Sequence, residues 1–380
     1  MTKLTVMKGL AAVCWVALIA PAVWAGESVL YSVTENTVLY PATNRPVPVS
    51  VTESKTEIFA LDLETGKKRL VFSDGNARLQ LSAFRGGKSI IAGGRRIFAV
   101  AVDRQDLAND PRTAGALYEL STDGSGSVRK VFAIDNFSSP FVSPSGSKIG
   151  YMPGDSTETH VVIRDTATGK LLRDAVIFSR TIEAETAGGF GWMPDEKKIF
   201  FALSGGLDDE EMFWTTPNSP IGTYVMNEDA GAPQRLAPES TLHPKVGGME
   251  PSPDVAANLI GVLADGEYLF TDSQYNPNGN QGAMYIYSLN LVKKTQRIFP
   301  SPVDGGPASF YLSPSAGKLV LMVQPRVAGG HAGLRAVPTA DVWVLDLGSG
   351  KQTKVLSFSD TDPTGSKGPW ISLIGWLRDE

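Results

Sequence analysis

ASFYLSPSAGKLVLMV (Ala308–Val323), followed after an insertion by VWVLDLGSG (Val342–Gly350), spells out one small sheet. A strand runs into a Ser-Pro-Ser turn and returns as a very apolar strand. A third strand then closes on an Asp-Leu-Gly-Ser-Gly turn with a basic restart at Lys351. Alternating apolar and polar positions over short runs, bounded by Gly, Pro, Ser and Asp, are the mark of half-buried strands joined by hairpins. The third-strand motif occurs six times: Ile58–Gly66 (IFALDLETG), Leu117–Ser125 (LYELSTDGS), Val161–Gly169 (VVIRDTATG), Thr223–Gly231 (TYVMNEDAG), Met284–Val292 (MYIYSLNLV) and Val342–Gly350. The strand–turn–strand motif is complete only five times, at Leu79–Gly93, Ser139–Met152, Gly189–Leu203, Gly248–Leu263 and Ala308–Val323. Its missing copy is divided between the chain ends. Trp370–Asp379 (WISLIGWLRD) matches the front strand and Glu27–Val33 (ESVLYSV) the apolar second strand.

A sheet of four short strands cannot bury both faces alone, so such units stack radially. The reading is an all-β, six-bladed β-propeller of four-stranded antiparallel blades, with the N- and C-terminal strands paired in one blade to close the ring. A seven-bladed ring with one degenerate blade is the alternative. Blades average roughly 59 residues against the roughly 40–50 of common repeats, so long insertions must lie between strands.

Residues 1–25 are set apart from this pattern. A basic start at Lys3 and Lys8, an apolar Gly9–Ala20 and the Val23-Trp24-Ala25 end read as a secretory signal peptide, leaving 26–380 as one propeller domain. The single cysteine, Cys14, falls in the leader, so the remainder has no thiol for disulfides, metals or catalysis. The formal charge is −5 for the whole chain. An acidic balance opposes general nucleic-acid binding, which needs a basic surface. No second apolar segment reaches spanning length. The expected location is outside the cytoplasm, most naturally the periplasm.

The SPSG, MPDEKKIFF and SPSAGKLVL turns with their LDLETGK-like hairpins resemble the WD40-like repeats of TolB-type propellers. The resemblance covers nearly all of residues 26–380 and implies a periplasmic propeller that engages a protein or a small ligand. TolB proteins carry an additional N-terminal α/β domain, which has no counterpart here. The family's partner-binding residues have no matching positions.

In such a ring the first-to-second and third-to-fourth strand turns share one face. Here they are the short SPSG-like and LETGK-like turns. Second-to-third connections take the other face, and five are long: Thr34–Thr56, Gly94–Ala114, Ser204–Gly222, Ala264–Gly282 and Gln324–Ala340. Only Pro153–Thr159 is short. Insertions gathered on one face of a rigid scaffold suggest a binding face. Candidate contacts there are Arg95, Arg96, Asp208, Phe213, Trp214, Tyr268, Asp272, Tyr275 and Arg326, since aromatics and arginine anchor interfaces. Glu250, in GGMEPSP, aligns with Gly191, Phe141 and Tyr311 of the other copies, which places a carboxylate near the central channel.

No GxSxG elbow, P-loop or HExxH pattern occurs, and no cofactor motif is present. The leading functional reading is a binding scaffold for a protein or extended ligand on the long-loop face, its oligomeric state open. The alternative is a metal-assisted lyase or lactonase at the channel mouth, with His160, His243 and His331 offering imidazoles to a divalent metal beside Glu250.

Overall fold

The computed structural model describes residues 26–37, 53–74, 79–80, 90–103, 106, 115–134, 137–153, 158–179, 186–204, 220–229, 231–243, 250–251, 255–275, 282–299, 307–323, 340–358 and 370–378. They form six antiparallel sheets. Blade 1 contains β1 (Glu27–Thr37), β2 (Glu53–Asp62) and β3 (Lys68–Ser73). Blade 2 is built from β4 (Leu79–Gln80), β5 (Ile90–Gly93), β6 (Arg96–Asp103), β7 (Gly115–Leu120) and β8 (Val128–Ile134). Blade 3 comprises β9 (Phe137–Val142), β10 (Lys148–Pro153), β11 (Glu158–Asp165) and β12 (Leu171–Ser179). Blade 4 has β13 (Thr186–Trp192), β14 (Lys198–Ser204), β15 (Gly222–Asn227) and β16 (Gln234–Arg235), followed by a short helix α1 (Glu239–Leu242). In blade 5 are β17 (Glu250–Pro251), β18 (Asn258–Val262), β19 (Tyr268–Tyr275), β20 (Gly282–Asn290) and β21 (Thr295–Phe299). Blade 6 holds β22 (Pro307–Leu312), β23 (Lys318–Val323), β24 (Ala340–Asp346) and β25 (Gln352–Phe358), and β26 (Trp370–Arg378) returns to blade 1.

The ring closes as the split repeat requires. Blade 1 has the order β26-β1-β2-β3, and β26 pairs with β1 in the register Val29↔Trp376 and Ser32↔Ser372. Innermost strands touch in the cycle β26, β5, β9, β13, β18, β22 and back to β26, giving six blades. All six third-strand motifs fall on the third strand of a blade.

Period-2 alternation explains why the blades stack. On β1, Leu30 enters the apolar cluster shared with blade 2, while Val29 and Tyr31 enter the cluster shared with blade 6. Each of the six junctions holds one such cluster, so every blade is buried on both sides. At about 25 cal/mol per Å² of apolar surface removed from water, these layers dominate the stability.

Two blades differ from the sequence reading. Leu79–Gly93 is not a hairpin, because β4 and β5 both pair with β6 and are two pieces of one inner strand. The real turn is Gly94-Arg95, and Arg96 already opens the second strand. Likewise β17 and β18 both pair with β19, and the turn lies at 263–267, not in the PSPD stretch. The connections expected at Gly94–Ala114 and Ala264–Gly282 therefore contain β6 and β19, and their loops shrink to 104–114 and 276–281.

Candidate functional site

The short-turn face is held together by pairs that cross from blade to blade. The first-to-second turns of blades 3, 4 and 6 share a backbone bond pattern: Gly146, Glu196 and Ala316 each donate N–H to the residue three before, Ser143, Met193 and Ser313. All three occupy the left-handed region, at φ 76, 54 and 57. Glu196 adopts it at a cost of roughly 1–2 kcal/mol relative to glycine, and its carboxylate has a use there. It accepts from the backbone N–H of Ser145 in blade 3, and from the Ser145 hydroxyl at 2.8 Å. Glu27 repeats the clasp across the closing seam, accepting from the N–H and hydroxyl of Ser315 at 2.7 and 3.0 Å. Arg96 spans blades 2 and 3 by donating to the Gly146 carbonyl at 2.9 Å while paired to Glu119 at 2.6 Å. Lys148 of blade 3 reaches Glu228 of blade 4 at 2.7 Å.

The same turn in blade 5 is Leu263–Glu267, with Gly266 at φ 84 in the left-handed position. Here the clasp has no parts. Blade 4 offers Asp195 where blades 3 and 6 offer Ser145 and Ser315, and Gly266 carries no carboxylate to reach back. The outer wall is reduced too: β16 is two residues long, whereas the outer strands of the other blades run from five to nine. The blade 4–5 junction opens on this face, beside the short β16, as a depression of about 610 Å³. Met193, Val225, Leu236 and Val262 supply its apolar lining beside Tyr268. Asp195 and Lys198 stand exposed on its rim, while Arg235 turns to the blade 3 side of the sheet, over the Tyr224 ring, donating to its hydroxyl at 3.2 Å.

At the opposite end of the same junction the gap is filled. Past β16 the chain turns inward, and Leu242 of α1 packs among Phe200, Phe270 and Tyr287. Glu239 accepts from the backbone N–H groups of Thr223 in blade 4 (2.8 Å) and Ala257 in blade 5 (3.0 Å). His243 lies between two carboxylates, Nε2 at 2.9 Å from Glu239 and Nδ1 at 2.9 Å from Asp272, with all three side chains at 0–1% exposure. Burial opposes the charged imidazolium, but the hydrogen bonds and charges of Asp272 and Glu239 outweigh it and raise the pKa from 6.5 to about 9. Tyr287 donates to the Leu242 carbonyl at 2.7 Å, and burial, with the two carboxylates, holds its phenol well above 10.

The expected site residues are thus dispersed. Arg95 and Arg96 are on the short-turn face of blade 2, not in a long loop, beside a depression of about 290 Å³. Tyr268, Asp272 and Tyr275 belong to strand β19, with Tyr268 at the short-turn end and Asp272 buried against His243. Glu250 is on the innermost strand opposite Tyr275, but Gly261, two before the true turn, takes the position matched to Gly191 and Tyr311. His160 pairs with Asp174 within blade 3 at 2.9 Å, whereas His243 lies between blades 4 and 5. Asp208, Phe213, Trp214, Arg326, His331 and residues 1–25 lie outside the described residues. Among the described residues no group of three or more His, Cys, Asp or Glu converges to hold a metal ion, because the carboxylates beside His243 sit on opposite edges of its ring. Sequence reasoning missed Met193 and Lys198, and the shortness of β16 beside them had no signal in the repeat pattern.

Ring, closure and repeat define a six-bladed β-propeller. The chain matches no protein-family model and no curated protein. Among solved structures it is similar to TolB from Acinetobacter baumannii at 14% identity and TM-score 0.49, covering 92% of this chain and 66% of that one. It thus spans just under two thirds of that protein's length. A putative TolB from Agrobacterium tumefaciens shows 14% identity and TM-score 0.46, covering 91% of this chain and 99% of that one. The β-propeller domain of the Trilobed protease from Pyrococcus furiosus shows 11% identity and TM-score 0.41, covering 89% and 99%.

Proposed function

We propose that this protein is a binding scaffold working outside the cytoplasm, where it recognises a protein or extended ligand without transforming it. The observation that carries this reading is the depression between blades 4 and 5, lined by Met193, Leu236 and Val262 with Asp195 and Lys198 on its rim, in a face clasped at three other junctions by Glu27, Arg96 and Glu196. Concave, mostly apolar recesses with a few fixed polar groups are where ligands bind. Of the described histidines, His243 is buried between Glu239 and Asp272, 2.9 Å from each. The leader-like residues 1–25 and a thiol-free remainder support the extracytoplasmic setting. No helix among the described residues is long and apolar enough to cross a membrane. Variable insertions such as Ser204–Gly222, with Phe213 and Trp214, extend the same role to the other face.

The test is saturable capture. Residues 26–380, immobilised, are expected to retain a component of extracytoplasmic extract that a heat-unfolded control does not. Absence of any saturable retention contradicts the scaffold reading, and retention unchanged by Trp214→Ala removes that loop as an anchor.

A further inference from the structure

We propose that α1 is a proton-held latch: loss of one proton from His243 releases α1 from its seat and loosens that end of the blade 4–5 junction, while the rest of the ring stays closed.

The latch is too short to hold itself. α1 spans only Glu239–Leu242, and a single turn of helix is unstable without tertiary contacts. It follows the two-residue β16, so it leaves its place without unzipping a long outer strand. What seats it are side chains that reach both blades. Leu242 packs among Phe200 of blade 4 and Phe270 and Tyr287 of blade 5, and Tyr287 donates to its carbonyl at 2.7 Å. Glu239 accepts from the N–H groups of Thr223 on blade 4 and Ala257 on blade 5. His243 then ties this carboxylate to Asp272 of β19.

That tie depends on one proton. Both ring nitrogens lie 2.9 Å from a carboxylate oxygen, and the three side chains are 0–1% exposed. Only the imidazolium presents an N–H to both carboxylates. A neutral ring keeps one N–H, so its other nitrogen sets a lone pair against a carboxylate in a place closed to solvent. Among the described residues, the titratable groups packed around the imidazole are Glu239 of α1, Asp272 of β19 and the Tyr287 phenol of β20, which stays neutral. None of them replaces the lost positive charge, and buried carboxylates left without one are strongly destabilising. Every other ion pair between described residues is at least 19% exposed on each partner, where water takes up the charge. Proton loss therefore acts at this junction and not around the ring.

Amide hydrogen exchange of the protein, corrected for the intrinsic effect of pH on exchange, tests the latch. The N–H groups of Thr223, Ala257 and His243 all bond to Glu239. Their protection is expected to fall roughly a hundredfold between pH 6.5 and 9 and then level off, since the ring's pKa is about 9 in the seat and returns to 6.5 on release. Their exchange should be faster than that of β1 and β26 and almost unaffected by low urea, as a local opening exposes little surface. In His243→Gln the same three amides should exchange readily at every pH in that range, with β1 and β26 still protected. Protection that does not change with pH in the unaltered protein overturns the proposal. So does exchange at the rate and urea slope of β1 and β26, because the junction then opens only with the whole ring. These two readings come from the unaltered protein and hold even if the variant fails to fold.

Discussion

Replacing His243 by alanine should be among the most damaging single changes available in this chain. The substitution leaves the carboxylates of Glu239 and Asp272, each no more than 1% exposed, without the cation between them. Removing one partner of a buried ion pair costs about 3–5 kcal/mol, because the survivor stays desolvated. Glu239 keeps its two backbone donors, Thr223 and Ala257, which places the expected loss near the lower end. A second estimate comes from proton linkage. The imidazole's folded pKa of about 9 lies above its ordinary 6.5, a displacement equivalent to about 3 kcal/mol. The group binds its proton more tightly folded than unfolded. Its contribution is therefore complete below about pH 6.5 and disappears as pH rises through about 9. Urea denaturation followed by tryptophan fluorescence, from pH 6 to 10, measures both effects. His243→Ala should lose about 3 kcal/mol at pH 6 and show a flatter decline than the unaltered protein between pH 6.5 and 9. Adding Glu239→Gln and Asp272→Asn should restore part of the loss, since neutral amides need no counter-charge. A loss under about 1 kcal/mol at pH 6, or an unchanged pH slope, refutes the argument that this cluster is a charged lock between blades 4 and 5.

Three further outcomes follow from the ring and its clasps. Because the only cysteine is Cys14, the pair Ser32→Cys/Ser372→Cys, directly opposed across β1 and β26, should oxidise to a single intramolecular disulfide seen on a non-reducing gel. Ser32→Cys/Ile371→Cys, one residue out of register, should not. Glu27→Ala removes the clasp on Ser315 at the seam and should cost about 1–2 kcal/mol by denaturant titration, in line with loss of charge-assisted hydrogen bonds. Asp195→Ser/Gly266→Glu copies the Ser145–Glu196 clasp into the open junction. A Cβ at Gly266 meets nothing within 4 Å, and the roughly 1–2 kcal/mol of left-handed strain is offset in part by the new bond, so stability should change by less than about 2 kcal/mol in denaturant titration.

Blade number and ring closure were legible because they rest on period-2 patterning and on two half-motifs at the chain ends. WISLIGWLRD and ESVLYSV are intelligible only as one hairpin's two strands, and β26 and β1 pair as such. Phase failed in blades 2 and 5, where β4 and β5 both pair with β6, and β17 and β18 both pair with β19, although Gly-Gly-Lys-Ser and Pro-Ser-Pro-Asp read as turns in the sequence. The stronger hairpin signals were a few residues on: Gly93-Gly94 before RRIFAV, and Asp265-Gly266 between two apolar strands. That slip carried Arg95, Arg96, Tyr268 and Asp272 to the wrong surroundings. The buried cluster was hidden for another reason. Glu239 and His243 are four apart and could have been paired from sequence, but Asp272 reaches them only through the packing of blade 5 on α1. The recess was harder still, since it depends on how little of the outer strand β16 forms beside it.

The claim that the blade 4–5 junction is the working site of this scaffold is tested most directly by photo-crosslinking in the native compartment. A benzophenone amino acid placed at Lys198 is compared with the same group at Lys67 and Lys351, exposed lysines on the short-turn face of blades 1 and 6. A discrete protein adduct from position 198, absent at 67 and 351 and abolished by Asp195→Ser/Gly266→Glu, is the predicted result. Adducts of equal yield at all three positions, or none at 198, contradict it.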